Sequence, residues 1–226
     1  MTNSKFIKIC GLRDSNNLVA ASAAGASHVG FVFFDKSPRN ISLEACAKLI
    51  EDLPAEVARV ALVVDPGDDF LDALLEVVSP DILQFHGRET PERLEHVMAR
   101  YPYPQYWKAL GISSPEDLGQ ASLYNVDMLL FDAKPPVQND RSKARPGGHG
   151  QVFDWSVLTN YKGDTPWLLA GGLNPDNISG AIKMVGPLKG FAGVDVSSGV
   201  ESAPGQKDPH LITHFIERAC EAMSKE

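Results

Sequence analysis

Two kinds of hydrophobic pattern alternate along the chain. Short runs rich in β-branched and aromatic residues recur as KFIKIC from Lys5, HVGFVFF from His28, ARVALVV from Ala58, ILQFH from Ile82, YWKALG from Tyr106, MLLFDA from Met128, PWLLAGG from Pro166 and GVDVSSG from Gly193. Apolar runs of this length, bounded by turn formers, predict strands. Their starts lie 23, 30, 24, 24, 22, 38 and 27 residues apart, room each time for one strand, one helix and two connections.

The intervening stretches carry the helical period. Ile212, Phe215, Ile216, Ala219, Cys220 and Met223 form one apolar stripe, and Leu43, Cys46, Leu49, Ile50 and Leu53 form another. On those stripes Cys46 and Cys220 read as small buried hydrophobes. Thr90-Pro91, Ser114-Pro115, Asn174-Pro175 and Asp208-Pro209 predict helix starts. In each pair the polar side chain accepts a free N–H, and proline sits where its missing donor is harmless. Eight β-α units predict a closed (β/α)₈ barrel as a single domain over residues 1–226. The alternative, a doubly wound dinucleotide fold, expects G-x-G-x-x-G after the first strand, where this chain has CGLRDS. The proline- and glycine-rich segment 134–151, after strand six, reads as a long functional loop.

Composition narrows the functional classes. An apolar fraction of 43% is enough for a sizeable core, and a net charge of −8 opposes binding to a nucleic-acid backbone. An acidic protein that takes an anionic metabolite must concentrate positive charge locally. Three scattered cysteines and dispersed histidines make neither a disulfide framework nor a metal set. The expected setting is the cytoplasm, without membrane or nucleic-acid partners, metal or cofactor. Monomer and homodimer both stay open.

In a (β/α)₈ barrel the chemistry gathers where the strands end. Those ends supply Cys10, Arg39, His86, Asp132, Gly171-Gly172 and Ser197-Ser198-Gly199. Strand alternation turns Lys8 inward with Cys10, Gln84 with His86, and Asp195 with Ser197. Lys8 and Asp195, on strands one and eight, are barrel neighbours, and a buried contact between them is expected because unpaired interior charges are costly. Each residue alone has a plain structural explanation: a buried thiol, a turn cap, a surface guanidinium. Their convergence at one rim does not. The glycine-rich ends of strands seven and eight are the recurrent phosphate site of such barrels, which points to Gly171, Gly172, Ser197, Ser198 and Gly199. From the residues alone the chain is an acid/base enzyme acting on a phosphorylated small molecule.

KICGL, GFVFFDKSPRNIS, LQFHG, LLFDAK, GGHGQVFDW, LAGGLNPDN and GVDVSSGVE, in this order, make the chain resemble the phosphoribosylanthranilate isomerases. The resemblance implies an Amadori rearrangement in tryptophan biosynthesis, with Asp132 as general acid and Cys10 as general base. It further implies Arg39 on the anthranilate carboxylate, His86 lining the site and Asp195 supporting it, with the phosphate in the strand-seven and strand-eight loops. His149 and Gln151 depart from the threonine and lysine common at those loop positions, with Arg141, Lys143 and Arg145 nearby. Two other readings stay open: a related isomerase of histidine biosynthesis, which uses two aspartates and a repeated sequence, and a non-catalytic phospho-ligand barrel. A redox-sensing Cys10 lacks a nearby partner thiol.

Overall fold

The computed structural model describes residues 6–134 and 153–225. Eight parallel strands close on themselves in sequence order. They are β1 (Phe6–Cys10), β2 (His28–Phe33), β3 (Ala58–Val63), β4 (Ile82–Phe85), β5 (Gln105–Ile112), β6 (Met128–Ala133), β7 (Trp167–Leu169) and β8 (Phe191–Val196). The seam is the β1–β8 ladder, in which Lys8 stands opposite Asp195. All eight expected strands are present, with small shifts at their ends.

Alternation divides the apolar residues into two shells. Ile7, Ile9, Val29, Phe31, Leu83, Phe85, Leu129, Phe131, Val194 and Val196 face the surrounding helices. Val60, Ile82, Trp107, Ala109, Met128, Leu130, Leu168 and Ala170 fill the barrel. Its amino-terminal floor is aromatic: the His28 ring lies 4.6 Å from Phe6 and 5.2 Å from Trp107, centroid to centroid. Burial, reinforced by the charge on Lys8, pushes the His28 imidazole down to about 4, so the floor is uncharged at neutral pH.

The helices are α1 (Ser15–Ala24), α2 (Leu43–Leu49), α3 (Asp68–Val77), α4 (Pro91–Arg100), α5 (Ile178–Val185) and α6 (Pro209–Met223). Thr90 and Asp208 cap α4 and α6 with proline in the first turn, as the sequence predicts. Ser114-Pro115 also starts a helix with a capping box, but one of 3₁₀ type (Pro115–Leu123). A second 3₁₀ helix (Trp155–Asn160) stands ahead of β7. Asn174 corrects one expectation. Its Oδ1 accepts from the N–H groups of Asp176 and Asn177, capping a turn, and α5 begins only after Asn177.

Cys220 corrects another, because it is exposed while Cys46 is buried. Its position falls at the edge of the α6 stripe, beyond the buried line of Ile212, Phe215, Ile216 and Ala219. The segment 135–152, which holds nearly all of the expected loop with Arg141, Lys143, Arg145, His149 and Gln151, lies outside the described residues. A small antiparallel hairpin, β9 (Glu201–Ala203) and β10 (Gln206–Lys207), follows β8 and was not foreseen from the pattern.

The seam leaves no room beside Phe6. A Cβ built on Gly193 would run into the Phe6 carbonyl oxygen and amide nitrogen across the β1–β8 ladder. Relief would require the two strands to separate. Gly193→Ala is therefore expected to lower the unfolding free energy by about 3 kcal/mol, read from the midpoint of a urea transition. An unchanged midpoint would show that the seam yields.

Candidate active site at the carboxyl ends of the strands

The β1 end shows why a strand carries a lysine and a thiol inward. Lys8 is fully buried, and its Nζ donates to Asp195 Oδ1 at 2.7 Å. Burial, the largest influence, opposes the ammonium charge, but Asp195 and Cys10 together outweigh it and raise the Lys8 pKa above its ordinary value. One pleat higher, Cys10 is also buried and packs with Val32 and Leu62. Both side chains lie against Gly30. A Cβ there would stand 2.9 Å from Cys10 Sγ and 3.1 Å from Lys8 Nζ. Gly11 then turns the chain, with φ of 83° and its N–H donated to the Gly30 carbonyl at 2.8 Å. Burial pushes the Cys10 thiol above its usual value; Lys8 pulls the other way and Asp195 adds to the rise. The resting form is a thiol held beside a fixed cation.

On the far wall, His86 Nε2 lies 3.2 Å from Asp132 Oδ2, and Gln84 Nε2 lies 3.2 Å from His86 Nδ1. The Gln84 amide donates to Nδ1, so a neutral imidazole carries its proton on Nε2 and donates it to Asp132. Asp132 Oδ1 accepts the N–H of Ala133 at 2.7 Å. In the closed strand order β6 lies three steps from β1, through β8 and β7. Thiol and carboxylate thus face one mouth from nearly opposite walls.

Below the β4 loop sits a buried hub that the sequence reading passed over. Glu89 accepts from Lys108 Nζ at 2.7 Å, from the Asp65 N–H at 2.8 Å and from the Gly87 N–H at 3.0 and 3.1 Å. It ties the ends of β3 and β4 together next to His86.

Between the two walls lie the glycine-rich ends. Gly171 and Gly172 have φ of 80° and 67°, a left-handed turn that only glycine takes readily. No protein acceptor takes their N–H groups among the described residues. Asn177 Nδ2 donates to the Gly172 carbonyl at 2.9 Å and fixes the turn. A Cβ at Gly199 would strike the Leu173 carbonyl, so the two loops touch. Ser197 and Ser198 stand at the head of a short 3₁₀ turn, Ser198–Val200. The Ser197 hydroxyl is committed, since it donates to the Cys10 carbonyl at 3.0 Å. This narrows the expected role of Ser197 to its backbone.

Arg39 is buried rather than solvated, and the reason was not legible in its own motif. Its Nε and Nη2 donate to Glu201 Oε1 and Oε2 at 2.7 and 2.8 Å. Glu201 also accepts from Lys207 Nζ at 2.7 Å and from the Gly205 N–H at 3.1 Å. Lys207 donates in addition to the carbonyl and hydroxyl of Ser197, at 2.9 and 3.2 Å. Burial alone would raise the Glu201 carboxyl, but Arg39 and Lys207 bring it down to about 2. Burial dominates at Lys207 and lowers it. The signal for this cluster was ESAPGQKD, a Pro-Gly turn flanked by opposite charges directly after the glycine-rich end of strand eight.

Sequence and fold are shared with known proteins over nearly the whole chain. A family model described as N-(5'phosphoribosyl)anthranilate (PRA) isomerase matches residues 7–218. A protein of Parvibaculum lavamentivorans named N-(5'-phosphoribosyl)anthranilate isomerase is 47% identical over 215 residues, covering 94% of this chain and 97% of its own. A crystal structure of phosphoribosyl anthranilate isomerase in complex with reduced 1-(o-carboxyphenylamino)-1-deoxyribulose 5-phosphate is 32% identical with a TM-score of 0.78, covering 96% of this chain and 99% of that one. Monomers generated from the dimeric enzyme of Thermotoga maritima give 33% identity and a TM-score of 0.78, with coverage of 96% and 99%. The thiol, the carboxylate and the glycine cradle therefore stand in a chain that belongs to the N-(5'-phosphoribosyl)anthranilate isomerase family.

Proposed function

We propose that the chain converts N-(5-phosphoribosyl)anthranilate into 1-(2-carboxyphenylamino)-1-deoxyribulose 5-phosphate, the Amadori step of tryptophan biosynthesis. The observation that carries the reading is the order of groups around the mouth: Cys10 on β1, the Gly171-Gly172 and Ser197–Gly199 amides after β7 and β8, and Asp132 on β6. A substrate whose phosphate sits in that cradle extends its sugar between an acid and a base.

The roles follow from chemistry. Asp132 acts from its protonated form: it gives that proton to the ribose ring oxygen, the ring C–O bond breaks, the anthranilate nitrogen lone pair forms the iminium, and the carboxylate left behind accepts the His86 Nε2–H. His86, hydrogen-bonded to Asp132, orients that carboxyl group. Cys10, once its own proton has passed to water, removes the proton from C2 as a thiolate; the adjacent iminium raises the acidity of C2, and the electron pair forms the enolamine. Tautomerisation to the ketone completes the isomerisation without any net gain or loss of atoms. Lys8 stabilises the thiolate as it forms, while Asp195 keeps Lys8 charged and in place. Arg39 takes the anthranilate carboxylate. All these residues come from one chain, so a monomer or each half of a homodimer holds a complete site. The cysteines Cys10, Cys46 and Cys220 are free thiols, which suits a cytoplasmic setting.

Positioned acids and bases each supply typically about 10²–10⁴-fold. Cys10→Ala and Asp132→Asn are each expected to cut turnover at least about 100-fold while leaving the circular dichroism spectrum intact, with substrate depletion followed by chromatography without added metal or cofactor. Full activity in either variant would sink its role. A second expectation concerns pH. Because the Cys10 pKa is raised, its thiolate fraction grows about tenfold per pH unit below that value. The rate at which iodoacetamide alkylates Cys10, followed by mass spectrometry, should accordingly climb through the neutral range, and a flat profile there would show that Cys10 is already a thiolate at rest.

A further inference from the structure

The proposed carboxylate-binding arginine is not free to choose its direction. Its Nε–Nη2 edge is filled by Glu201, bound through both oxygens at 2.7 and 2.8 Å. A guanidinium held this way points its remaining edge, Nη1 and the outer Nη2 hydrogen, away from Glu201. That edge has the spacing to hold a second carboxylate in the same two-pronged manner.

The aliphatic part of Arg39 is pinned as well. It lies across the β1 turn so closely that a Cβ on Gly11 would stand 2.8 Å from Arg39 Cδ. From Glu201 the contacts run on to Lys207, from Lys207 to the Ser197 carbonyl and hydroxyl, and from the Ser197 hydroxyl to the Cys10 carbonyl. Gly11 follows Cys10 directly, so the contacts form a closed ring: Cys10, Gly11, Arg39, Glu201, Lys207, Ser197 and back to Cys10. The hairpin turn is held from outside by Arg13 Nη2, which donates to the Gly205 carbonyl at 2.9 Å.

Charge supports the same conclusion. The ring holds two cations, Arg39 and Lys207, against one carboxylate, Glu201. Lys207 spends its donors on Glu201 and Ser197, whereas Arg39 keeps an unfilled edge. The surplus positive charge is therefore presented by Arg39, in one direction, at the mouth. Nothing among the described residues answers it, so the partner it fits is an anionic group on the ligand.

We infer that Glu201 is a positioning residue for substrate selection: by clamping Arg39 it aims the guanidinium at the carboxylate on the ligand's aromatic ring. The β9–β10 hairpin thereby sets the preference for a carboxylated aryl amine over an uncharged one. This rests on the proposed role of Arg39 and goes beyond it, because it assigns the selectivity to a residue that does not itself touch the ligand.

The test uses two stable ligands, reduced 1-(2-carboxyphenylamino)-1-deoxyribulose 5-phosphate and its counterpart lacking the ring carboxylate, with dissociation constants measured by calorimetry. Their ratio is the carboxylate preference. Glu201→Gln keeps size but loses one accepting oxygen and the charge. It should lower the preference about tenfold while changing affinity for the carboxylate-free ligand less than about twofold, since that ligand does not use Arg39. Arg39→Ala is measured in parallel. If Arg39→Ala leaves the preference intact, the assignment of Arg39 itself fails. If Arg39→Ala removes the preference and Glu201→Gln keeps it, the assignment of Arg39 stands and the role of Glu201 is overturned. Should Glu201→Gln bind neither ligand, Arg39→Lys decides: it keeps the charge without the fork, and retention of the full preference there would likewise overturn the inference.

Discussion

The buried pair between Lys8 and Asp195 joins the first strand to the last, and the mouth is organised around it. Neither charge is tolerable in the barrel alone; removing one partner from such a pair typically costs about 3–5 kcal/mol. The 2.7 Å contact therefore fixes which residues of β1 and β8 face each other. With that register set, Cys10 falls one pleat above the lysine, and Ser197 rises to meet the Cys10 carbonyl. The aromatic floor beneath, with His28 kept uncharged, holds the pair in a poorly screened interior. A fixed cation in that setting acts on a neighbouring thiol with little competition from water. The same interaction closes the barrel and conditions the thiol proposed as its base.

Opposing demands meet at Cys10. Burial favours the neutral thiol, while abstraction of a proton needs the thiolate. Lys8 resolves this by being close enough to favour the anion without being the group that reacts. The cost of the closeness appears at Gly30, where a side chain would have to share the space of both Sγ and Nζ. Asp132, by contrast, stands among donors: the Ala133 amide and the His86 imidazole both address it. One wall keeps the proposed base neutral at rest and the other orients the proposed acid.

The barrel was legible because every level of the sequence agreed: strand runs, spacing, caps and glycine-rich ends all pointed the same way. The Lys8–Asp195 contact could be read from alternation and from the cost of an unpaired charge. Other features depend on contacts far apart in sequence and left no local trace. Arg39 and Glu201 are separated by 162 positions, and only folding shows that a carboxylate after β8 answers a guanidinium after β2. Glu89 gave no sign of its burial, since its neighbours Arg88 and Thr90 read as an ordinary polar turn. Asn174-Pro175 misled because an asparagine can cap a turn as readily as a helix, and both patterns precede a helix. Cys220 misled because a stripe has edges, and a period alone does not say which member lies on one.

The β9–β10 hairpin stands apart from the barrel ladder, joined to β8 by a short turn and paired only with itself in the sheet sense. Its bonds to the mouth are made by two side chains, Glu201 to Arg39 and Lys207 to Ser197, and by the Gly205 carbonyl of its turn, which accepts from Arg13. Such an appendage is free to vary in a way the strands are not. On the role proposed for Glu201, a lineage that changed the charges of this ribbon could redirect which ring substituents the mouth welcomes while Cys10, Asp132 and the glycine-rich loops stayed as they are. On this arrangement, new substrate ranges are more accessible through seven residues of ribbon, Glu201–Lys207, than through the barrel wall that carries Cys10 and Asp132.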